Sequence, residues 1–178
     1  MALPTSQRPP VERRGRVLPL GPVALLAARV VLHWDFTSAD LATVECYART
    51  LASGGGLALQ HDAIVSSGFG SLLWVALLAG AALVGLPIMT TAKLVGALFA
   101  AAALYLLPAV PRRLNGRGRA RLVDLLPALI LALHPAVGLH AAGGLETSLT
   151  LLLLVVALRI YVREERAFEA GQPLSGLG

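Results

Sequence analysis

Five apolar blocks, punctuated by three clusters of arginine, constrain this chain more than any other feature. The blocks cover residues 17–32, 71–88, 91–110, 122–142 and 147–162. The clusters are Arg8, Arg13, Arg14 and Arg16, then Arg112, Arg113, Arg117, Arg119 and Arg121, then Arg159, Arg163 and Arg166. Together they hold 12 of the 15 Lys and Arg residues. Apolar residues in unbroken runs cannot alternate between a core and water, so the runs themselves must be buried in hydrocarbon. Composition agrees: 14% of the residues are charged, against ~25% in soluble domains, and the mean hydropathy is +0.73. The expected fold class is all-α, an integral membrane helical bundle. A span needs ~20 apolar residues, so 178 residues leave room for four or five. The net charge of +5 sits at block ends, where it reads as a topology signal. No nucleic-acid partner is expected.

The positive-inside rule places all three clusters in the cytoplasm. Starting inside, residues 17–32 exit, and the second cluster must be back inside after Val110. Only one of the two intervening blocks can then cross. Residues 91–110 end in Pro111-Arg112-Arg113, as a helix stopping at the cytoplasmic face should, so residues 71–88 are assigned to the outer interface. Residues 122–142 then run out and 147–162 run back in. This predicts about four transmembrane helices plus outer-face juxtamembrane helices. Residues 1–16 form a basic cytoplasmic tail, 17–162 the membrane module with an outer loop at 33–90, and 163–178 a cytoplasmic tail or the entry to a further span. The first block lacks a closing small-x-small site and reads as a retained span rather than a cleaved signal. A single cysteine, Cys46, excludes an intrachain disulfide.

Under this topology five of the ten acids lie outside: Asp35, Asp40, Glu45, Asp62 and Glu146. Glu12, Asp124, Glu164, Glu165 and Glu169 lie inside, mostly beside arginines, as solvated partners of a basic face. Asp40 and Glu45 fall in a helical stretch, 39–52, which Gly54-Gly55-Gly56 should stop. Gly143-Gly144 makes a tight turn before Glu146, whose charge suits a helix N-terminus. Taken singly, Asp40 and Glu146 could be ordinary acids at helix starts, and Glu45 should face solvent. His134 and His140 lie six apart in one expected span, hence on different faces, which argues against a metal pair. Arg29 should snorkel outward or meet an anionic headgroup. A transporter would place ionisable groups inside its spans; besides histidines, this chain offers Arg29, Asp124 and the terminal Lys93 and Arg159.

The order of these pieces resembles the GT-C superfamily of membrane glycosyltransferases, nearest to bacterial arabinofuranosyl- and mannosyltransferases that use polyprenyl-phosphate-linked sugars. In those relatives the first outer loop reads Asp-Asp-x-(Phe/Tyr)-Ile, then Arg-Tyr-Ala-x-Asn-Leu, then Gly-x-Gly-Leu. Asp40 matches the second aspartate, Tyr47-Ala48 the Tyr-Ala pair, Leu51 the leucine, and Gly54, Gly56 and Leu57 the glycine turn. Ser67-Gly68-Phe69-Gly70-Ser71-Leu72-Leu73-Trp74 stands where the family has Glu-Gly-Tyr-Ser/Thr-x-Pro-Leu-Trp, and Gly144-Leu145-Glu146-Thr147 matches its Gly-Leu-Glu-Thr intact. The departures are Ala39, Cys46, Thr50, Ser67 and Leu72, in place of the family's Asp, Arg, Asn, Glu and Pro.

The resemblance implies transfer of a sugar from a polyprenyl-phosphate donor to a cell-envelope glycan or lipid, with Asp40 and Glu146 as catalytic acids. It implies substrate contacts at Tyr47, Gly54, Gly56 and Trp74. It also implies a multi-pass protein of the bacterial plasma (inner) membrane with its N-terminus in the cytoplasm. Some relatives use a divalent cation; no metal-ligand spacing is visible here. Full family members carry many more spans, so the chain reads as an N-terminal part or a truncated member. The alternative is a catalytically inactive module that partners a longer glycosyltransferase.

Overall fold

A computed structural model describes residues 19–59, 70–116, 121–169 and 171. The tails 1–16 and 172–178, together with Gln60, His61, Asp62, Ser67, Gly68, Phe69, Arg117 and Arg119, lie outside the described residues. The described residues are helical, with no strand among them: α1 (Leu20–Leu32), α2 (Ala39–Ala52), α3 (Leu72–Leu83), α4 (Ile88–Leu106), α5 (Ala109–Leu114), a 3₁₀ turn (Leu122–Leu125), α6 (Leu126–Leu133), α7 (Pro135–Ala142) and α8 (Thr147–Glu169).

Local chemistry sets these boundaries. Ser38 caps α2 by accepting from the Leu41 N–H at 3.2 Å, and Ser71 caps α3 by accepting from the Trp74 N–H at 3.3 Å. In α1 the buried residues Pro22, Leu26 and Val30 recur every fourth position, which makes one packing face. The buried face of α4 includes the small residues Ala92, Gly96, Ala100 and Ala103, again near every fourth position. Small side chains let neighbouring backbones close in, and α4 accordingly packs against α8, α1, α7 and α3.

One bundle of apolar helices emerges, with alternating directions. The end of α1 meets the start of α4, since Lys93 Nζ donates to the Trp34 carbonyl at 2.6 Å. The end of α7 meets the same place, where Gly144 presses on the backbone of Ala92 and Lys93. At the far end, α5 packs on α8 and on the 3₁₀ turn, and Arg166 donates to the Leu114 carbonyl. α1 and α6–α7 therefore run one way, α4 and α8 the other. One apolar cluster fills this bundle, with Leu26, Ala100, Leu104, Ala132, Ala141 and Val155 among its members. A second, containing Leu41, Tyr47, Trp74, Leu78, Ala92 and Leu149, seats α2 and α3 against α4 and the start of α8.

Among the described residues one helix is long and apolar enough to cross a membrane. It joins α4 and α5 as Ile88–Leu114, 27 residues, within which an 18-residue stretch has a mean hydropathy of 2.0. At 1.5 Å per residue it reaches ~40 Å, beyond the ~30 Å hydrocarbon core. Helix α1, at 13 residues, and α3, at 12, are each shorter than a span. The expected single helix over 122–142 is two, bent by 61° at His134–Pro135; counted as one element, it would be a second candidate. Pro135 causes the break, because it lacks an N–H and its ring clashes with the preceding turn. Helix α8 runs on past the expected end at Val162 to Glu169, carrying Arg159, Arg163 and Glu164 within its length.

Two inner residues differ from expectation. Asp124 is not a solvated partner of the basic face: it is 1% exposed, and its Oδ2 accepts from the Arg121 N–H at 2.8 Å to cap the 3₁₀ turn. Arg29 neither snorkels nor stands free. Its Nη1 donates to the carbonyls of Ala132 and Leu133, groups left at the end of α6 by the break. Gly138 makes room for it, since a Cβ there would lie 3.2 Å from the Arg29 Cβ.

Candidate functional site

Of the residues singled out from the sequence, Trp74 and Glu146 come together at the junction of α7 and α8. Gly144 has φ +69°, and a Cβ on it would stand 3.0 Å from both the Ala92 carbonyl carbon and the Lys93 nitrogen. Only glycine takes this conformation at this closeness without strain. The Gly144 carbonyl accepts from the indole Nε1 of Trp74 at 3.2 Å, a bond wholly inside the protein. Phe36 covers Gly143, where a Cβ would lie 3.2 Å from its ring. The turn before Glu146 is thus fixed from three sides, by α4, α3 and the segment after α1.

Glu146 itself is half-buried. Its carboxylate lies against Gly70, so close that any side chain there would run into Oε1. The carboxylate makes no hydrogen bond or ion pair among the described residues. Nearby, the His140 imidazole and the Thr147 hydroxyl share a hydrogen bond of 3.1 Å.

Asp40 lies in the first turn of α2, exposed to solvent. No hydrogen bond or ion pair joins it to Glu146. The two are related through the second apolar cluster, in which Leu41 follows one acid and Leu145 precedes the other. Glu45 is not the free, solvent-facing acid expected. It pairs with Arg49 at 2.5 Å, and its own side chain is only 14% exposed. The hydrogen bonds that Arg49 donates to Glu45, and then the charge of that carboxylate, hold the Arg49 guanidinium above its ordinary pKa.

Tyr47 and Trp74 are both fully buried in the second cluster. In that cluster they pack α2 and α3 together with Leu145, the residue before Glu146. Gly54 and Gly56 have φ of +82° and +75°, the left-handed geometry that ends α2 and reverses the chain.

Two groups had no clear sequence signal. Lys93, in the second turn of α4, is 8% exposed, bonds the Trp34 carbonyl and lies 5.7 Å over the Trp34 ring. Its place on the Ala92–Gly96 face was the available clue. His134 and His140 do not fall on opposite sides of one helix. The break at Pro135 turns both toward a cavity of about 300 Å³ that they line with Thr147, Ser148, Leu131 and Leu151. Among the described residues no group of three or more His, Cys, Asp and Glu is placed to hold a metal ion. Comparisons with family models, with curated proteins and with solved structures find no match to this chain.

Proposed function

We propose that this chain is an integral membrane protein of GT-C glycosyltransferase type, with about four spans. It transfers a sugar from a polyprenyl-phosphate donor to a cell-envelope glycan or lipid acceptor. The observation that carries this reading is the Glu146 turn. The segments bearing the resemblance converge there, with Trp74 bonded to Gly144, Gly70 against the carboxylate, and Tyr47 in the cluster beneath. α1, α4, α6–α7 and α8 serve as the spans; the shorter ones thin the bilayer locally. Helix α8 places its arginines at one interface, and Arg29 satisfies the broken helix inside.

In this mechanism the acceptor hydroxyl attacks the anomeric carbon as the carbon–oxygen bond to the donor phosphate breaks. The hydroxyl proton passes to a carboxylate, and the lipid phosphate leaves with the bonding electrons. Glu146 is half-buried and unpaired among the described residues, which suits a base beside the reacting centre. Asp40, open to solvent, orients the incoming acceptor.

The test is reconstitution with a polyprenyl-phosphate-linked sugar. Glu146→Gln and Asp40→Asn should each lower transfer by ~10²-fold or more. Transfer untouched by Asp40→Asn removes the role given to that residue. The second reading is a catalytically inactive module that partners another membrane subunit. Ala39 in place of an acid and the neutralisation of Glu45 by Arg49 favour it. A membrane-inserted wild type that transfers nothing would select it.

A further inference from the structure

The end of the bundle opposite Glu146 carries an imbalance of charge. Arg112 and Arg113 lie in the last turn of α5, and Arg159 lies on α8, which packs against α5. Arg159 feels the positive charges of both Arg113 and Arg112, and it is partly buried. Other arginines at this end have acids: Arg163 pairs with Glu164 at 3.7 Å, and Arg166 with Glu169 at 3.3 Å. Among the described residues none of the Arg112, Arg113 and Arg159 guanidinium groups has a hydrogen-bond or ion-pair partner. Of the two remaining acids on these elements, Asp124 is buried and turned to the Arg121 backbone, and Glu165 is exposed on α8 with no ion pair to any of the three. Three like charges held together without a counterion repel one another and are partly desolvated. An anion placed among them would relieve both penalties.

The surroundings indicate what kind of anion. The elements at this end also expose apolar side chains: Leu158 and Tyr161 on α8, Tyr105 on α4, and Leu122 and Val123 on the 3₁₀ turn. A ligand for this place has an anionic head and an apolar body. Guanidinium groups match phosphate oxygens in a bidentate fork, which a carboxylate-free cluster of three leaves fully available. We propose that Arg112, Arg113 and Arg159 form a site for the phosphate of an anionic membrane lipid at the α5–α8 end of the bundle. This rests on the membrane reading above and is independent of sugar transfer.

The experiment uses the full chain. Wild-type protein is first floated with phosphatidylcholine vesicles, then delipidated in detergent and titrated with phosphatidylglycerol, phosphatidylcholine and inorganic phosphate, with bound lipid counted by native mass spectrometry. Flotation with phosphatidylcholine reports insertion alone; a chain that fails to float overturns the membrane reading, and this proposal with it. The site predicts preference for phosphatidylglycerol over phosphatidylcholine. Each of Arg112→Gln, Arg113→Gln and Arg159→Gln should weaken it about fivefold, and the Arg163→Gln control should not.

Arg159→Lys, which keeps the charge and loses the fork, should fall between wild type and Arg159→Gln. It also gives a readout if the glutamine variant does not fold. Fluorescence of Trp34 and Trp74 reports folding, since Lys93, which binds Trp34, and Arg112 lie ~28 Å apart along the helix. Equal binding of the two lipids overturns the site. So does wild-type affinity in all three glutamine variants. Inorganic phosphate that binds as tightly as phosphatidylglycerol overturns the lipid as its ligand.

Discussion

The two ends of the bundle handle charge in opposite ways. At the Glu146 end, polar groups lie inside and are met mostly by backbone carbonyls: Lys93 by Trp34, and the Trp74 indole by Gly144. At the α5–α8 end most charges lie near the surface, and Arg163 and Arg166 pair with side-chain acids; the exceptions are the bond from Arg166 to the Leu114 carbonyl and the buried Asp124 on the Arg121 N–H. Backbone partners are fixed in space, so the first arrangement gives exact positions and tolerates little change. Side-chain partners swing in solvent, where an ion pair contributes only ~0–1 kcal/mol. The first end is built for geometry, the second for long-range attraction.

This contrast can be tested by thermal unfolding in detergent micelles, and the effects should fall in order. Gly144→Ala should be the most damaging, at about 3 kcal/mol or more, since it forces left-handed strain and a clash with the α4 backbone. A loss below about 1 kcal/mol would mean that the turn yields, and the contrast would fail. Trp74→Phe keeps a ring in the core but strands the Gly144 carbonyl, so about 2 kcal/mol is expected. Arg29→Met should remove about 1 kcal/mol, because losing two carbonyl bonds is partly offset by removing a half-buried charge.

Gly70→Ala should change stability least, by under about 0.5 kcal/mol, because the atom in its way is the tip of a flexible side chain. It must nevertheless push the Glu146 carboxylate aside. A normal melting profile with sugar transfer lowered as in Glu146→Gln would sharpen the contrast; unchanged transfer would separate Glu146 from the chemistry.

Much of the helical pattern was legible in the sequence. The helical stretch 39–52 and its stop at Gly54-Gly55-Gly56, the turn at Gly143-Gly144 and the apolar blocks could all be read there, whereas the caps by Ser38 and Ser71 could be seen only in the structure. The split of 122–142 was less so. Pro135 was visible, but membrane helices often bend over proline without breaking, and what stabilises this break is Arg29, supplied from a distant helix. The same limit applies to the site. Glu146 and its glycine doublet could be read locally. The burial of Trp74 and Tyr47, the approach of Gly70 and the partner of Lys93 depend on which helix faces which, and periodicity alone does not record that.

The bond from Arg29 to the end of α6 also bears on biosynthesis. Donor and acceptors are 103 and 104 residues apart, with the donor first. At ~5–20 residues per second, α1 is made some ~5–20 s before the carbonyls it will meet. The kinked element therefore emerges with its cap already waiting. A circular permutant that delivered α6 before α1 would expose two bare carbonyls for the whole interval.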